Sequence, residues 1–588
     1  MEEVLKQIVC QATEQLYGIK DATVQFQKTR KEFDGDITLV VFPFLKFSKK
    51  DPEKTASEIG KFLLQKNDIV SSFNCVNGFL NLTINDSYWL NQFNLAFEDK
   101  NYGFVKPNKQ SKTVVVEFCS PNTNKPLHLG HIRNNLLGYS VSKIVEASGS
   151  FVKKVQVIND RGIHICKSMI AWQLYGENKT PNTAGIKGDH FVGEYYILFD
   201  KIYKDQIQDL ISQGFEKEEA SKKAPIFIKA QEMLRKWEAK DEEVHKLWQK
   251  MNNWVYEGFE ITHKRLGISF DKNYYESDTY LLGKNIVFKG LEQGHFYKKD
   301  DGSVWIDLTK DGLDEKILLR ADGTAVYMTQ DIGTAINRHE DFEFDSMIYT
   351  VGNEQDYHFK VLFLILEKIG LEWAKQCYHL SYGMVDLPSG KMKSREGTVV
   401  DADDLMQEMY LNAKSISKEL GKIDDLTSQQ AEKLFEDIGL GALKYFMLKI
   451  DPKKRMMFNP EESIDFNGNT APFIQYTHAR IQSIIRKYNQ SLKFVSVDEM
   501  LDKEKCIIKR IVEYPKVIQD ASKNYSPALL ANYLYDLVKD FNAYYQNVPI
   551  LVAEDSNTVD FRVALSATVA KIIKSGMGLL GISVPNKM

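Results

Sequence analysis

Residues Val114–Arg133 read VVVEFCSPNTNKPLHLGHIR. Three valines ahead of Glu117 make an apolar strand of the kind buried in a parallel sheet. Pro121 bounds a loop, and His128-Leu129-Gly130-His131 opens a helix. A strand leading into a helix start is half of a βαβ unit, with a particular chemistry at its turn. The first helical N–H groups lack partners inside the helix and stand at the positive end of its dipole, so they attract phosphate. His128 and His131, three residues apart, add two donors on the same face, and Gly130 lets a flat ring approach the backbone. The stretch predicts a polyphosphate site at the edge of a nucleotide-binding sheet. A lone HxxH is more often a pair of surface histidines, so the flanking sequence decides.

Working outward, the helix is expected over Leu129–Ser148, followed by a strand over Val152–Ile158 and a helix from Gly162 through Leu174. Residues from about 176 to 265 then become highly charged, and Phe215–Lys250 alternates Glu, Lys and apolar residues like a solvated helical hairpin. Ser303–Leu308 and Lys316–Arg320 read as a β-hairpin. Parallel-sheet signals resume with strand Ser346–Val351, helix Glu354–Ile369 and strand Tyr378–Met384. The nucleotide-binding sheet is therefore split by an insertion of about 145 residues. Before it, helix Glu2–Gln15, strand Ile37–Phe42, helix Asp51–Gln65 and strand Gly78–Ile84 form a small α/β unit, with Lys106–Lys112 as linker. Beyond about residue 402 the chain reads as all-helical, including Ile474–Tyr488, Ala528–Tyr545 and Val563–Leu580.

The expected fold class is multidomain α/β, with a Rossmann-like doubly wound parallel sheet split by an insertion, a small α/β N-terminal domain and an all-helical C-terminal domain. The divisions fall at 1–109 (N-terminal domain), 110–175 and 320–401 (the two halves of the sheet domain) and 176–319 (inserted connective domain). They continue with 402–455 (helical connection) and 456–588 (C-terminal helical domain).

A chain of 588 residues exceeds a single core, and 12% aromatic content argues against disorder. The apolar run Val361–Leu366 is far below the ~20 residues needed to span a bilayer, which predicts no membrane association. The start Met1-Glu2-Glu3-Val4 lacks a basic n-region, which predicts no export and a cytoplasmic location. Six scattered cysteines without CxxC or Cys/His spacing disfavour a disulfide framework and zinc. With a net charge of −4, a polyanionic partner would need a local basic surface.

The loop after Tyr378–Met384 should emerge at the carboxyl edge of the sheet. It reads Pro388-Ser389-Gly390-Lys391-Met392-Lys393-Ser394-Arg395-Glu396-Gly397-Thr398. Three cations facing a helix N-terminus can stabilise charge developing on a triphosphate.

HLGH followed about 260 residues later by KMKSR resembles the HIGH and KMSKS signatures of class I aminoacyl-tRNA synthetases. The flanking residues resemble the arginyl-tRNA synthetase family across the chain. They are Glu117, Ser120-Pro121-Asn122, Lys125-Pro126, Tyr327-Met328-Thr329-Gln330-Asp331, Gln355-Asp356-Tyr357-His358 and Gln475-Tyr476-Thr477-His478-Ala479-Arg480. The resemblance implies two steps: arginine and ATP give arginyl-adenylate, and arginine then passes to the 3′ end of its tRNA. It implies ATP carried with Mg²⁺, no zinc, a monomeric enzyme, and adenylate formation that needs bound tRNA.

By that resemblance His128 and His131 contact the phosphates, Gly130 accepts the adenine, and Lys391 and Lys393 act from the second loop beside Met392 and Ser394. The family motif has lysine at its fourth position, where this chain has Ser394. Arginyl enzymes often carry a lysine just before HIGH instead, and Lys125 sits there. A guanidinium is planar, permanently charged and rich in donors, so selecting it needs fixed acceptors. Asp331 is the expected ionic partner, with Tyr327 packed on it. Glu117, Asn122 and Gln355 match positions that bind the amino and carboxylate ends or complete the guanidinium shell. His358 matches a position near the ribose, while His164 is equally readable as a buried helix residue.

Tyr476, Arg480, Arg486 and Lys487 combine a ring with cations, which suits unstacked bases. Tyr544 and Tyr545 are further candidate platforms, Met588 is a candidate tRNA contact, and His478 is read as a helix-surface residue. The resemblance assigns 456–588 to anticodon binding and 1–109, with its Gly35-Asp36 turn, to the tRNA elbow. Three rivals stay open: a small-molecule nucleotidyltransferase, an inactive synthetase-like RNA-binding protein, and another class I synthetase.

Overall fold

The computed structural model describes all residues except 31, 389–399, 420–425 and 554. Lys391, Met392, Lys393 and Ser394 therefore lie outside the described residues. The chain forms two compact units, Met1–Tyr102 with Ile484–Tyr514 and Lys539–Ile572, and Gly103–Ser483 with Pro515–Val538 and Ile573–Met588.

The larger unit is built on a five-stranded parallel sheet. Its strands run in the order Cys377–Tyr382, Ser346–Gly352, Thr113–Glu117, Phe151–Ile158, Lys272–Tyr275. The first strand in sequence is central, and later strands add on both sides of it. The order therefore reverses between Thr113–Glu117 and Ser346–Gly352, and the crevice outside their carboxyl ends is where such sheets bind ligands. Val115, Val116, Met347 and Ile348 are wholly buried in these two strands. Each contributes about 1.5–3 kcal/mol relative to exposure, which explains why the valine run cannot lie anywhere but inside.

The helix after the central strand spans Leu129–Ala147 and is bolted to the carboxyl edge by its second turn. Asn134 accepts from Cys119 N and donates to Thr350 O at 2.8 Å and to Tyr382 Oη at 3.1 Å. The buried Arg133 donates to the carbonyls of Met384, Pro452 and Lys454 at 3.1, 3.1 and 2.8 Å. Gly138 faces Phe118 so closely that an added Cβ would lie 2.3 Å from that side chain. A larger residue there would push the helix start out of place.

Lys272–Tyr275 corrects the expected insertion of 176–319. This short strand pairs with Val155–Ile158 and belongs to the nucleotide-binding sheet, so the sheet is interrupted twice. The first interruption carries helices Gly188–Ser212, Lys217–Lys223, Pro225–Glu238 and Glu242–Leu266. The second carries a three-stranded antiparallel sheet, in which Val304–Ile306 pairs with Lys316–Leu319 as the hairpin signal predicts. Among the described residues after 402, the regular elements are helices apart from the short strand Met456–Met457, which pairs with Val385–Asp386.

The smaller unit has a four-stranded antiparallel sheet in the order Phe26–Lys28, Ile37–Val40, Phe79–Ile84, Val70–Val76. It also corrects the separation of 1–109 from 456–588, because parts of both ranges pack as one body. Phe93 meets Phe494 and Phe561 at 5.5 and 5.7 Å between ring centroids. Lys571 Nζ donates to the carbonyls of Ala96, Phe97 and Asp99, closing the end of helix Asp86–Glu98. The Gly35-Asp36 turn works inside this unit: Asp36 Oδ2 accepts from Ile84 N at 2.7 Å, and Oδ1 pairs with Lys509. Among the described residues no helix is long and apolar enough to cross a membrane.

Candidate active site

His128 caps the Leu129–Ala147 helix in extended conformation. Its Nδ1 accepts from Gly130 N at 3.1 Å, while His131 Nδ1 accepts from His128 N at 3.1 Å. The ring centroids lie 3.9 Å apart. An imidazole whose Nδ1 accepts must carry its proton on Nε2 when neutral. Burial, assisted by Lys125, lowers His128 to about 4, and burial with the neighbouring His128 holds His131 well below the usual range. The pair is thus neutral near pH 7, and each ring directs one Nε2–H away from the helix start. The first N–H groups of the helix are taken up by the two imidazoles and by Val400 O, so what remains for an anion is the pair of neutral Nε2 donors, the positive end of the helix dipole and the Lys125 ammonium, a set whose chemistry suits phosphate oxygens.

Glu117 ends the central strand. Its Oε2 is 2.6 Å from the buried Arg338 Nη1, and its Oε1 accepts from Ser120 Oγ at 2.9 Å. Cys119 and Ser120, at φ 74° and 48°, occupy the left-handed region and turn the chain sharply above the strand. Asn122 then bridges Asn159 in parallel, joining the ends of two strands.

A cavity of about 620 Å³ opens beside this turn, within the range of small-molecule sites. Asn122, Lys125 and Tyr327 line it, together with Arg161, Glu276 and Gln330. Glu276 follows the short strand Lys272–Tyr275 and was not legible in the sequence. Its neighbour Ser277 donates N and Oγ to the Asp160 carboxylate at 2.9 and 2.8 Å, and Tyr256 Oη donates to it at 2.8 Å. Asp160 therefore fixes the turn that presents Glu276. Burial raises the Glu276 carboxyl to about 7; Arg161 opposes the shift, while Asp160 and Asp331 add to it. Arg161 is held in the wall by Tyr280, 3.9 Å from its ring centroid, and by Glu238 at 3.3 Å.

Tyr327 opens helix Tyr327–Phe342 with 76% of its surface exposed, and Asp331 follows one turn later. Asp331 Oδ2 lies 2.7 Å from His358 Nε2, so two residues expected in different subsites are partners. Gln355 is exposed in the turn after strand Ser346–Gly352, on the other side of the switch point. His164 is exposed and pairs with Tyr196 Oη at 3.1 Å in the cavity wall, which rules out the buried reading.

The RNA-facing expectations divide. The Arg480 guanidinium lies 4.9 Å from the half-buried Tyr476 ring on helix Ala471–Tyr488. Tyr545 is 40% exposed, and Met588 is half-buried. Tyr544 is wholly buried, so it is a core residue and cannot stack on a base. Its helical spacing beside Phe541 is that of a packed face, with 6.0 Å between centroids. His478 is also buried, accepting or donating at 2.9 Å to Pro585 O through Nδ1; only donation fits a carbonyl, so Nδ1 carries the proton.

Residues 94–459 match the family described as tRNA synthetases class I (R), catalytic domain, and residues 474–588 match the DALR anticodon binding domain. The arginine–tRNA ligase of Flavobacterium psychrophilum is 57% identical over 599 aligned residues, covering 100% of both chains. That of Parabacteroides distasonis is 55% identical over 597, also covering 100% of both. Among solved structures, Thermus thermophilus arginyl-tRNA synthetase superposes with a TM-score of 0.79 at 23% identity, covering 100% of both chains. The Plasmodium falciparum enzyme gives 0.76 at 20% identity, covering 100% and 99%. The interrupted parallel sheet with HLGH at its central crossover is the catalytic domain of a class I aminoacyl-tRNA synthetase. Within that class the chain belongs to the arginyl-tRNA synthetases, and its reaction is the ATP-driven charging of tRNA with arginine.

Proposed function

We propose that the cavity beside Asn122 receives arginine and that the HLGH helix start receives the ATP phosphates. The reading rests on one juxtaposition: a cavity walled by Glu276 and Tyr327 shares Lys125 with a pair of neutral imidazoles. Asp331, with one oxygen held by His358, offers the other to the guanidinium, and Glu276 supplies a second acceptor. Tyr327 covers the guanidinium plane. Glu117, whose oxygens each have lone-pair capacity beyond their present bonds, and Asn122 take the ammonium end, with Gln355 completing the shell. The arginine carboxylate attacks the α-phosphorus, pyrophosphate leaves, and the tRNA 3′-terminal adenosine hydroxyl then displaces AMP.

His128 and His131 donate from Nε2 to oxygens of the pentavalent phosphorus, and Gly130 leaves room for adenine. Lys125 carries the positive charge that Ser394 lacks, alongside Lys391 and Lys393; Met392 and Ser394 belong to the same ATP-binding loop. Mg²⁺ enters on the phosphates, which suits an ion that keeps its waters and takes few protein ligands. Zinc has no part in this reading. Tyr476, Arg480, Tyr545 and Met588 are assigned to tRNA, residues 1–109 to its elbow, and the chain works as a cytosolic monomer. Adenylate formation requires bound tRNA, and ATP–pyrophosphate exchange with arginine tests this. Exchange should depend on added tRNA; equal rates without it would refute the requirement.

A further inference from the structure

Helix Gly188–Ser212 begins in a charged cluster that the steps above do not use. Lys187 Nζ pairs with Asp403, lies 3.2 Å from Asp189 Oδ2 and reaches Thr262 Oγ1 at 2.6 Å. Thr262 Oγ1 donates to Asp403 Oδ1 at 3.0 Å. His190 Nε2 is 3.2 Å from Asp403 Oδ2 and 3.5 Å from Asp401 Oδ2. Asp189, His190 and Asp403 are close enough to hold a metal ion, but the Lys187 ammonium already contacts both carboxylates. The arrangement is an ionic lock between the first insertion and residues 401–403.

Those residues lie directly against the HLGH turn. Leu129 N donates to Val400 O at 2.9 Å, Ala402 N donates to Leu127 O at 3.0 Å, and Asp401 forms an antiparallel bridge with His128. Asp401 Oδ1 also accepts from the amides of Asp403 and Asp404 at 2.8 and 3.1 Å, capping helix Ala402–Glu419. The backbone of His128 is thus held between its own helix and a segment that the lock grips from the far side.

We propose that Lys187, Asp189 and His190 are positioning residues that, through Asp401 and Asp403, hold Val400–Ala402 on Leu127–Leu129 and so set the His128–His131 pair. This rests on the reading of that pair as the ATP contact. Three carboxylates here face one ammonium and one imidazole, so the lock is strongest with His190 protonated. The charged groups acting on it are Lys187 and Asp189 beside it and Asp401 and Asp403 across from it; on helix Glu242–Leu266 Thr262 bonds to Lys187 and Asp403, and the adjacent His263 is lowered by burial to about 4, leaving it neutral. Burial opposes the His190 proton, but the Asp403 hydrogen bond and the fields of Asp401 and Asp189 outweigh burial and Lys187, raising its affinity. The lock therefore weakens as pH rises through that raised value.

The test uses the full chain with Lys187→Met, Lys187→Arg and His190→Gln, reading amide exchange across 125–132 and 400–405 and the KM values for ATP and arginine. Lys187→Met should speed exchange at Leu129 and Ala402 about tenfold. It should raise the KM for ATP about fivefold with that for arginine unchanged, and Lys187→Arg should restore most of both. His190→Gln, the milder variant, should abolish the alkaline rise in the KM for ATP. Unaltered exchange in Lys187→Met, or an alkaline rise retained in His190→Gln, overturns the lock. Faster exchange with an unaltered KM for ATP overturns its role in placing His128. A fully active His128→Ala would instead locate the fault in the reading of the histidines.

Discussion

Asp331 Oδ2 and His358 Nε2 stand 2.7 Å apart, joining the helix that opens on Tyr327 to the one that follows the switch-point strand. A carboxylate held at one oxygen has a fixed second oxygen, so if Asp331 receives the guanidinium as proposed, His358 acts on arginine through it. Removing a hydrogen bond to a charged group costs about 1.5–3 kcal/mol, which corresponds to an increase in the KM for arginine of roughly tenfold or more in His358→Ala. The KM for ATP should stay unchanged; a rise in that value instead would return His358 to the ribose subsite.

Glu276 must be ionised to attract a guanidinium, and burial raises its carboxyl to about 7. In the free enzyme kcat/KM for arginine should therefore climb as pH passes upward through about 7 and level off above it. Glu276→Gln should lower the plateau and remove this limb. A variant that keeps the limb would assign it to another group.

Among the described residues Lys125 is a cation whose charge acts on both imidazoles, and it lines the cavity beside Asn122. Lys125→Ala should lose about 2–4 kcal/mol of transition-state stabilisation, comparable to deleting one preorganised donor. Rapid-quench adenylate formation measures this, and near-normal rates would refute the role given to Lys125.

The neutral HLGH pair predicts an acid sensitivity of the fold. The folded value of His128 lies below its unfolded one, so the unfolded chain binds more protons between about 6.5 and 4. Stability is fully present above that window and falls through it as pH drops, by up to about 1.4 kcal/mol per pH unit from this group. Urea denaturation of His128→Asn should show a shallower acid slope than the parent chain; an unchanged slope would mean the imidazole is accessible to protons.

The sheet was legible because buried parallel strands are written in apolar runs: VVVEF gives the central strand and SMIYTV its neighbour. The phosphate site was legible because it is local, with HLGH carrying its own helix start. Glu276 was not, because Lys272-Asn273-Tyr274-Tyr275 carries only one buried side chain, and long-range pairing with Val155–Ile158 makes it a strand. Asp341 supports it from a distant helix, 2.6 Å from Lys272 Nζ and 2.7 Å from Tyr274 Oη. Tyr544 failed for the opposite reason: a tyrosine in a helix offers the same letter to a core and to a base, and only packing separates them. The Asp331–His358 pair spans two elements whose meeting no spacing rule contains.

The division of the site into an arginine side and a phosphate side is tested most directly by steady-state aminoacylation with Asp331→Asn, Glu276→Gln and Lys125→Ala, varying arginine and ATP separately. The two acidic variants should raise the KM for arginine by about 2 kcal/mol or more, near thirtyfold, while the KM for ATP stays level. Lys125→Ala should weaken ATP usage more than arginine usage. Acidic variants that impair ATP and arginine equally, or a Lys125→Ala defect confined to arginine, would contradict the account.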